Sequence, residues 1–392
     1  MYDAIVVGLG PAGSTAAYTL SRAGLKVLGV DKARFPRYKS CGGCISTKIE
    51  RVLDFGITET IEQTIYGATF TYKSERTMDI LSDRPVGHNV MRDVFDEFLL
   101  KKAKEAGAEV IEGARVTGGI DDGRSVTVTT ADGRSFTGRV LVGADGASGF
   151  IGREFFGLNP REAAVSITAE VPYDRVKTDF GRKLFIDFGG VPYGYAWIFP
   201  KKEFLSVGIA GDALKVGGRI KDYFNSFAGS HAALKGLDVT ERTGWTVPIY
   251  YDGASPSVKG RVVLIGDTGH LVDPFLGEGI FYAIRTAKAA ASAIIDTVMG
   301  GTTVDLAPYQ AWLEREIYPE FKAAGKLSDL VYNHPRLWYS IIEKDPGIMQ
   351  RFYDVIRGEE GADSFYNWVY GKIRSKPWKV LRRWIDSRFL PV

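Results

Sequence analysis

The chain has 392 residues, 45% of them hydrophobic and 25% charged, which excludes a compositionally disordered protein and allows a large core. A formal net charge of +3 is too small to indicate a nucleic-acid partner. Two cysteines exclude a disulfide framework and favour a reducing compartment. No basic leader precedes the first apolar run and no run of 18 apolar residues follows, so we expect a cytoplasmic protein.

The first motif occupies the start of the chain. Ala4-Ile5-Val6-Val7 is a short apolar run typical of a buried parallel strand. It enters Gly8-Leu9-Gly10-Pro11-Ala12-Gly13, a G-x-G-x-x-G, after which residues 14–23 predict a helix that ends at Gly24. A second predicted strand, 26–30, ends in Asp31. This order of strand, turn, helix, strand and acid predicts a dinucleotide-binding unit.

Each residue of that motif has a physical reason. Gly8 permits the tight turn, Gly10 lets the backbone approach a pyrophosphate, and Gly13 lets helix and strand pack closely. The helix N-terminus presents free N–H groups and a positive dipole end to the phosphates. Asp31 can accept hydrogen bonds from ribose hydroxyls. On this motif alone, NAD and FAD both remain possible ligands.

Two later segments distinguish between these ligands. Val140–Val142 is an apolar run that ends in Gly143-Ala144-Asp145-Gly146. A third run, 261–265, ends in Gly266-Asp267 and is followed by Pro274, Gly277, Glu278, Gly279 and Ile280 at the head of a predicted helix over 281–298. The three segments together resemble the flavoprotein hydroxylase superfamily, which contains para-hydroxybenzoate hydroxylase. The resemblance favours FAD over NAD.

The same resemblance implies roles for individual residues. Asp267 would hydrogen-bond the ribityl chain, and the Gly279-Ile280 backbone would lie near the pyrimidine end of the flavin. Arg92 matches an arginine that reaches the FAD phosphates. Asp145 is either a direct FAD contact or a turn residue at a strand end. The full set of expected cofactor contacts is Gly8, Gly10, Ala12, Gly13, Asp31, Lys32, Cys41, Gly42, Cys44, Arg92, Val116, Asp145, Asp267, Gly279 and Ile280.

The dispersed motifs predict a discontinuous arrangement. We expect an α/β fold with a Rossmann-type FAD-binding domain, an inserted, mostly antiparallel substrate sheet and a helical C-terminal region. The alternating runs around 68–72 and 206–210 suit that sheet, and 126–130 with 135–137 around Asp132-Gly133 predict a hairpin. The expected boundaries are 1–60, 86–160 and 251–304 for the FAD-binding domain, 61–85 and 161–250 for the substrate domain, and 305–392 for the helical region.

Two further motifs narrow the family. The first is Lys39-Ser40-Cys41-Gly42-Gly43-Cys44, and the second is Gly194-Tyr195-Ala196-Trp197-Ile198-Phe199-Pro200-Lys201. Over about residues 1–300 the chain resembles the geranylgeranyl reductases, flavoenzymes that saturate isoprenoid chains. Their members carry a related Cys-Gly segment beside the flavin and Y-x-W-x-F-P-K on the substrate side.

The residue types leave several roles open. Cys41 could donate a proton or pack on the flavin, and Cys41 with Cys44 could form a redox dithiol or simply fit a tight loop. Tyr195 and Trp197 share one face of a strand, as a substrate wall or as core. His270 is a possible base, although a loop hydrogen bond is the simpler interpretation. We expect no metal site, because the four histidines are dispersed and a zinc site needs four ligands.

The resemblance implies an FAD-dependent reductase that saturates the double bonds of geranylgeranyl chains of a lipid or lipid precursor. Its catalytic residues would be Cys41, Tyr195 and Trp197, and its external reductant NADPH or reduced ferredoxin. An FAD-dependent aromatic monooxygenase or halogenase is the alternative. The halogenase motif W-x-W-x-I-P begins with Trp where this chain has Tyr195, and G-W-x-G-x-x-G is not found. A non-enzymatic flavoprotein or lipid carrier is a third interpretation.

The end of the chain combines aromatic and basic residues. Aromatic residues from Trp368 to Phe389 alternate with seven lysines and arginines between Lys372 and Arg388, against the single acid Asp386. This pattern suits either a peripheral membrane contact or an amphipathic helix packed on the protein.

Overall fold

The computed structural model describes residues 1–158, 164–237, 239–253, 256–301 and 303–375. Its strands, in chain order, are β1 (Tyr2–Val7), β2 (Val27–Asp31), β3 (Cys44–Ser46), β4 (Ile61–Ile65), β5 (Gly67–Tyr72), β6 (Arg76–Leu81), β7 (Gly87–Val90), β8 (Glu109–Glu112), β9 (Val116–Asp121), β10 (Val126–Thr130), β11 (Ser135–Gly143), β12 (Ala164–Pro172), β13 (Leu184–Phe188), β14 (Gly194–Pro200), β15 (Phe204–Asp212), β16 (Thr243–Val247), β17 (Val258–Lys259) and β18 (Val262–Leu264).

The α-helices follow the same numbering. They are α1 (Pro11–Arg22), α2 (Arg92–Glu105), α3 (Phe150–Phe156), α4 (Ala213–Val216), α5 (Ile220–Ser230), α6 (Ile280–Gly300), α7 (Ala307–Glu316), α8 (Tyr318–Tyr332), α9 (Pro335–Lys344), α10 (Gly347–Ile356) and α11 (Ala362–Ser375). Within the described part of the chain, no helix is both long enough and apolar enough to cross a membrane.

An eight-stranded sheet carries the first motif. Its main path runs β17-β18-β11-β1-β2-β8, and the β9–β10 hairpin joins through β11. The strands β18, β11, β1, β2 and β8 are parallel, so the loops after β1, β2, β11 and β18 meet at one edge. The apolar alternation of β1 places Ala4 and Val6 in one core cluster and Ile5 and Val7 in the other. Helices α1, α2 and α6 pack together on the Ala4 side.

The predicted hairpin and inserted sheet are both present. β10 and β11 pair antiparallel around the Asp132-Gly133 turn, where Gly133 has φ +85°. A seven-stranded sheet in the order β16-β12-β15-β14-β13-β5-β6 is antiparallel except for the β13–β5 pair. One face packs on α5, and the other faces the C-terminal helices α8 to α11. The mixed α/β fold is therefore as expected.

A third sheet contains the strand that begins at Cys44. β3, β7 and β4 pair in the order β3-β7-β4, with Cys44 opposite Asn89 of β7, and β3 also contacts α6. The sequence predicts residues 61–85 as one block of the substrate domain. The structure divides them, because β4 pairs with β7 whereas β5 and β6 join the seven-stranded sheet. The domain boundaries otherwise stay a prediction.

Candidate active site

A cavity of about 540 Å³ runs from the edge of the eight-stranded sheet to the C-terminal helices. Its wall includes most of the residues expected from the sequence. Those that line it are Gly8, Gly10, Ala12, Asp31, Lys32, Cys41, Gly42, Cys44, Arg92, Asp145, Tyr195, Trp197, Asp267, Gly279 and Ile280. Two expected contacts are not in the lining. Gly13 lies within α1, and Val116 is buried in the core cluster on the far side of the sheet.

The glycine loop leaves room for a phosphate group. Gly8 has φ +91°, and a Cβ on it would meet the Ala144 carbonyl oxygen at 2.3 Å. A Cβ on Gly13 would lie 1.8 Å from the Gly8 oxygen, which explains the close helix–strand packing. Gly10, by contrast, has only an Arg37 guanidinium nitrogen nearby, at 3.4 Å. Gly10 also begins α1 without a side-chain cap, so the first N–H groups of the helix are left for a ligand.

Asp31 ties two of the converging loops together. Its carboxylate accepts hydrogen bonds from the backbone N–H of Leu9 at 2.6 Å and of Ala33 at 2.7 Å. The side chain is buried at the end of β2 and lines the cavity. This places an acid beside the glycine loop, where the motif predicts contact with a ribose.

Two arginines share one buried acid next to the loop. Arg92 forms a bidentate pair with Asp96, with both distances at 2.9 Å, and Arg37 lies 3.0 Å from the same carboxylate. Burial lowers the pKa of Arg92, but the charge of Asp96 and contacts with Asp96 and Cys41 outweigh it, so the pKa is raised. Two cations against one anion leave net positive charge facing the cavity. This excess suits a pyrophosphate.

Arg37 was missed by the sequence analysis. It follows Phe35-Pro36 and lies just before the cysteine motif in the chain. Only the tertiary fold brings it to Gly10, from a loop 27 positions further along the chain. A pattern search for basic residues just after β2 could have found it.

The remaining cofactor candidates divide into two groups. The Asp145 carboxylate accepts hydrogen bonds from the N–H groups of Phe150 and Ile151 and so caps α3, which matches the turn-residue interpretation. Asp267 lies in the turn after β18, with a carboxylate oxygen 3.3 Å from where a Cβ on Gly279 would be. Gly279 begins α6, again without a side-chain cap. These last residues form a second helix N-terminus at the cavity.

The loop that contains the two cysteines passes between β7 and β14. Cys41 and Cys44 are both free thiols. Gly43 has φ +73°, and a Cβ on it would lie 2.3 Å from the Val90 carbonyl oxygen. A Cβ on Gly42 would lie 2.7 Å from the Phe199 ring. Gly42 therefore lets the loop lie close to the aromatic strand β14, and Gly43 lets it pass close to the end of β7.

The two sulfur atoms have different surroundings. The N–H of Gly43 donates to the Cys41 sulfur at 3.4 Å, and the Cys41 carbonyl accepts from the Ser206 hydroxyl at 3.3 Å. Burial, followed by the charges of Glu278 and Cys41, raises the pKa of Cys44 to about 12. Cys44 therefore holds its proton at neutral pH.

Tyr195 and Trp197 lie on one face of β14, as period-two spacing predicts. Their ring centroids are 5.9 Å apart. The Tyr195 hydroxyl donates to the Leu276 carbonyl at 2.5 Å, and burial, then Asp273 and the two cysteines, raises the Tyr195 pKa. Trp197 is 6% exposed, and its indole N–H has no hydrogen-bond partner among the described residues. The aromatic face and the cysteine loop therefore meet.

Three charged residues near the aromatic face and the cysteine loop were not selected as site residues from the sequence: Asp273, Glu278 and Lys39. The carboxylate of Asp273 accepts from the N–H groups of Phe275 and Leu276 at 2.8 and 2.6 Å, which holds the loop before α6. Glu278 pairs with Lys48 at 2.7 Å and thereby connects that loop to the segment after β3.

His270 is buried, and its backbone is in the left-handed region at φ 56°. Its backbone N–H donates to the Asp267 carbonyl, which is consistent with a role in the loop.

Lys39 is the third of these residues. Its ammonium lies 3.7 Å from the ring centroid of Trp245, and both side chains line the cavity. Burial and then the charge of Arg92 lower the Lys39 pKa to about 8. The lysine belongs to the cysteine motif, but its contact with β16 depends on the packing of two domains, which the sequence pattern does not describe.

Beyond the aromatic face the cavity becomes an apolar arm. The seven-stranded sheet provides Phe70, Leu184, Ile186 and Phe188, and the helices provide Leu327, Val331, Tyr332, Trp338, Ile342, Ile348, Met349, Phe352, Tyr353, Phe365 and Val369. The sequence predicts residues 305–392 only as a helical region, with no expected site residue in it. Helices α8 to α11 supply the other wall. The spacing of Trp338, Ile341 and Ile342 was the available signal.

Comparisons with known proteins agree with this arrangement. Residues 1–175 match the family described as FAD binding domain. The chain is 32% identical over 346 residues to a geranylgeranyl diphosphate reductase of Rhodobacter capsulatus, covering 85% of each chain. It is 30% identical to digeranylgeranylglycerophospholipid reductase 1 of Methanopyrus kandleri, over 84% of this chain and 90% of that one.

Solved structures show the same fold. A geranylgeranyl bacteriochlorophyll reductase-like protein of Thermoplasma acidophilum superposes with a TM-score of 0.78 at 22% identity, covering 98% of this chain and 99% of that one. The flavin-dependent brominase Bmp2 superposes with a TM-score of 0.72 at 21% identity, covering 95% and 99%. The fold alone thus accommodates both reductases and halogenases, whereas the sequence relationship is with the reductases. This chain belongs to the geranylgeranyl reductase family of FAD-dependent oxidoreductases.

Proposed function

We propose that this protein saturates carbon–carbon double bonds of geranylgeranyl chains in a lipid or lipid precursor, with FAD as its bound cofactor. The observation that carries the proposal is one continuous cavity. Its first part is lined by glycine loops and arginines, its second by apolar side chains, and Cys41, Tyr195 and Trp197 line it too. Such a cavity suits a charged dinucleotide at one end and a long hydrocarbon chain at the other.

The residues of the first part fit FAD. The uncapped N-terminus of α1 at Gly10, with Arg37 and Arg92 beside it, would hold the pyrophosphate. Asp31 would meet the adenosine ribose, and Asp267 with the α6 N-terminus at Gly279 would hold the ribityl and pyrimidine part. Lys32, Gly42 and the two cysteines border the same space. On this proposal the division into an FAD-binding domain, a substrate domain and a helical region is functional as well as structural.

The reaction makes definite demands on the protein. FAD, when bound and reduced, would supply a hydride to one alkene carbon, and the protein would have to bring a proton to the other. An isolated alkene is a poor hydride acceptor, so orientation is the main contribution of the protein. The apolar arm would hold the chain extended and exclude water, and Trp197 would form its wall next to the cysteine loop.

Cys41 is the proposed proton donor. The Tyr195 hydroxyl already donates its hydrogen bond to the Leu276 carbonyl, so its proton is engaged. Cys41 lines the cavity, and its sulfur accepts a hydrogen bond from the Gly43 N–H. Tyr195 and Trp197 then act as positioning residues for the chain.

The proposal extends to partners. NADPH or reduced ferredoxin would reduce the cofactor, and an isoprenoid diphosphate or glycerophospholipid would be the substrate, as the names of the two relatives suggest. A peripheral membrane contact through the C-terminal segment would bring the enzyme to such lipids, in an otherwise cytoplasmic protein. Most of that segment, residues 376–392, lies outside the described residues.

The test is an anaerobic reaction. Dithionite-reduced holoenzyme is incubated with geranylgeranyl diphosphate and, separately, with a digeranylgeranyl glycerophospholipid, and products are measured by mass spectrometry. Product masses that rise by two hydrogens per reduced bond support the proposal. The alternative is a monooxygenase or halogenase, since the brominase Bmp2 has a similar fold. This alternative predicts no anaerobic product. It predicts an added oxygen or halogen atom once air and NADPH are admitted, and that result would overturn the reductase.

A further inference from the structure

The two cysteines are a second functional feature of the cavity. They are the only cysteines of the 392-residue chain, and they stand three positions apart at 41 and 44. Both are free thiols, and both line the same cavity as the proposed cofactor site. A proton donor needs one thiol at most, so the reduction proposed above leaves the second one unexplained.

The two sulfur atoms have different neighbours. Cys41 is contacted by the Arg92 guanidinium and by the N–H of Gly43. Cys44 is partly exposed and lies near the acid Glu278 and near Cys41. Two thiols at C-x-x-C spacing can exchange two electrons by forming and breaking one disulfide bond.

The two cysteines lie in one short segment of the chain. Only Gly42 and Gly43 separate the cysteines, and Gly43 is already in the left-handed region at φ +73°. Cys44 is held by strand pairing with Asn89, whereas Cys41 lies in the preceding loop. A disulfide needs Cα atoms within roughly 4.4–6.8 Å, a distance that this spacing can reach.

We propose that Cys41 and Cys44 form a redox-active dithiol that exchanges two electrons with bound FAD. In the forward step the two thiols lose two electrons and two protons and form one S–S bond. FAD accepts those electrons and protons. An external dithiol then reduces the disulfide by exchange, so that each S–S bond broken is replaced by one in the external reductant. The inference rests on the FAD site of the proposed function.

The experiment counts electrons in the holoenzyme. Wild type, Cys41→Ser and Cys44→Ser are oxidised with diamide, desalted and titrated anaerobically with dithionite. We expect the wild type to accept four electrons per FAD and each variant two. Mass spectrometry after alkylation should find an internal disulfide, with no alkylated thiol, in oxidised wild type. In a second arm, anaerobic dithiothreitol should bleach the wild-type flavin at least ten times faster than that of Cys44→Ser.

Other results would overturn the dithiol. Two electrons per FAD in wild type would do so, as would two alkylated thiols after diamide. The wild-type thiol count decides even if a serine variant fails to fold. The proposed function fails separately. Four electrons with no lipid product would retain the dithiol and reject the reductase, whereas two electrons with product gaining two hydrogens per bond would do the reverse.

Discussion

Two acidic residues at strand ends, Asp31 and Asp145, have different hydrogen-bond partners. Asp31 is the last residue of β2, Asp145 lies two positions after β11, and both line the cavity. The Asp31 carboxylate is bound by Leu9 and Ala33, within the loops that face the cofactor site. The Asp145 carboxylate is bound instead by the first N–H groups of α3. The two acids should therefore respond differently to the same substitution.

We expect Asp31→Ala to weaken FAD binding by about 1–3 kcal/mol, or roughly a 5- to 150-fold rise in Kd, because it removes a charged acceptor from the loops and the ribose. The measurement is fluorescence titration of apoprotein with FAD. The matched control is Asp145→Ala, which removes the acceptor that caps α3. We expect it to lower the free energy of unfolding by about 0.5–2 kcal/mol, seen as a lower melting temperature, and to change the Kd for FAD less than Asp31→Ala does. Equal changes of Kd in both variants would contradict the assignment.

Asp273 is a residue whose charge state should depend on pH. Burial is the main cause that raises its pKa to about 7, so the folded protein holds this proton where the unfolded chain has lost it. Its contribution to stability is complete below the unfolded pKa, about 4, and is lost as pH rises through the folded value.

We expect Asp273→Asn to become more stable relative to wild type as pH rises from 4 to 8. The amide keeps an oxygen acceptor for the N–H groups of Phe275 and Leu276 but carries no charge. The measurement is the difference in melting temperature between the two proteins at each pH. A difference that stays constant over this range would show that the Asp273 carboxyl is not the titrating group.

At the scale of elements, the C-terminal helices complete the substrate arm. α9 and α10 place Trp338, Ile342, Met349 and Phe352 against the outer face of the seven-stranded sheet. The inner face of that sheet packs on α5, with Phe224 fully buried. One face of the sheet is therefore part of a hydrophobic core, and the other face borders the cavity.

This difference predicts distinct effects for two phenylalanine truncations. Phe224→Ala should destabilise the protein by about 3–5 kcal/mol and leave the KM for lipid unchanged in the folded fraction. Phe352→Ala should cost less stability, because its ring borders existing space, and should raise the KM for the lipid several-fold with FAD affinity unchanged. Unfolding curves and steady-state kinetics measure the two effects. A similar KM in both variants would argue against substrate binding by α10.

At the scale of the whole molecule, the question is how a long lipid reaches an interior arm. α11 contributes Phe365 and Val369 to the lining, and the basic, aromatic residues 376–392 follow it directly. Five lysines and arginines against one acid in that stretch would be attracted to anionic lipid surfaces, at about 1 kcal/mol per basic residue.

We expect removal of residues 376–392 to reduce sedimentation with anionic vesicles and to leave FAD binding intact. Truncation at this point keeps Phe365 and Val369, whereas truncation at Asn367 would also remove part of the cavity wall. Neutral vesicles and high salt serve as controls, since both should weaken binding of the full chain. Equal sedimentation of the two forms would assign the segment to packing rather than to membrane contact.

Much of this protein can be predicted from local sequence. The glycine loop, Asp31, the Gly266-Asp267 turn and the cysteine and aromatic motifs each lie within one short segment, and close sterics or strand periodicity constrain each of them. For that reason the FAD-type fold, the hairpin at Asp132-Gly133 and the shared face of Tyr195 and Trp197 follow from the residues themselves.

The rest depends on contacts between distant segments, which no local pattern encodes. Arg37 reaches Gly10 and shares Asp96 with Arg92 only because α2 packs beside the first loops. Asp145 could be a ligand or a cap until α3 is seen to begin at Phe150. The second wall of the apolar arm comes from helices more than a hundred residues beyond β13, a strand that lines the first wall. A cavity is a property of how elements pack, so the sequence predicted its chemistry and only the tertiary structure decided its shape.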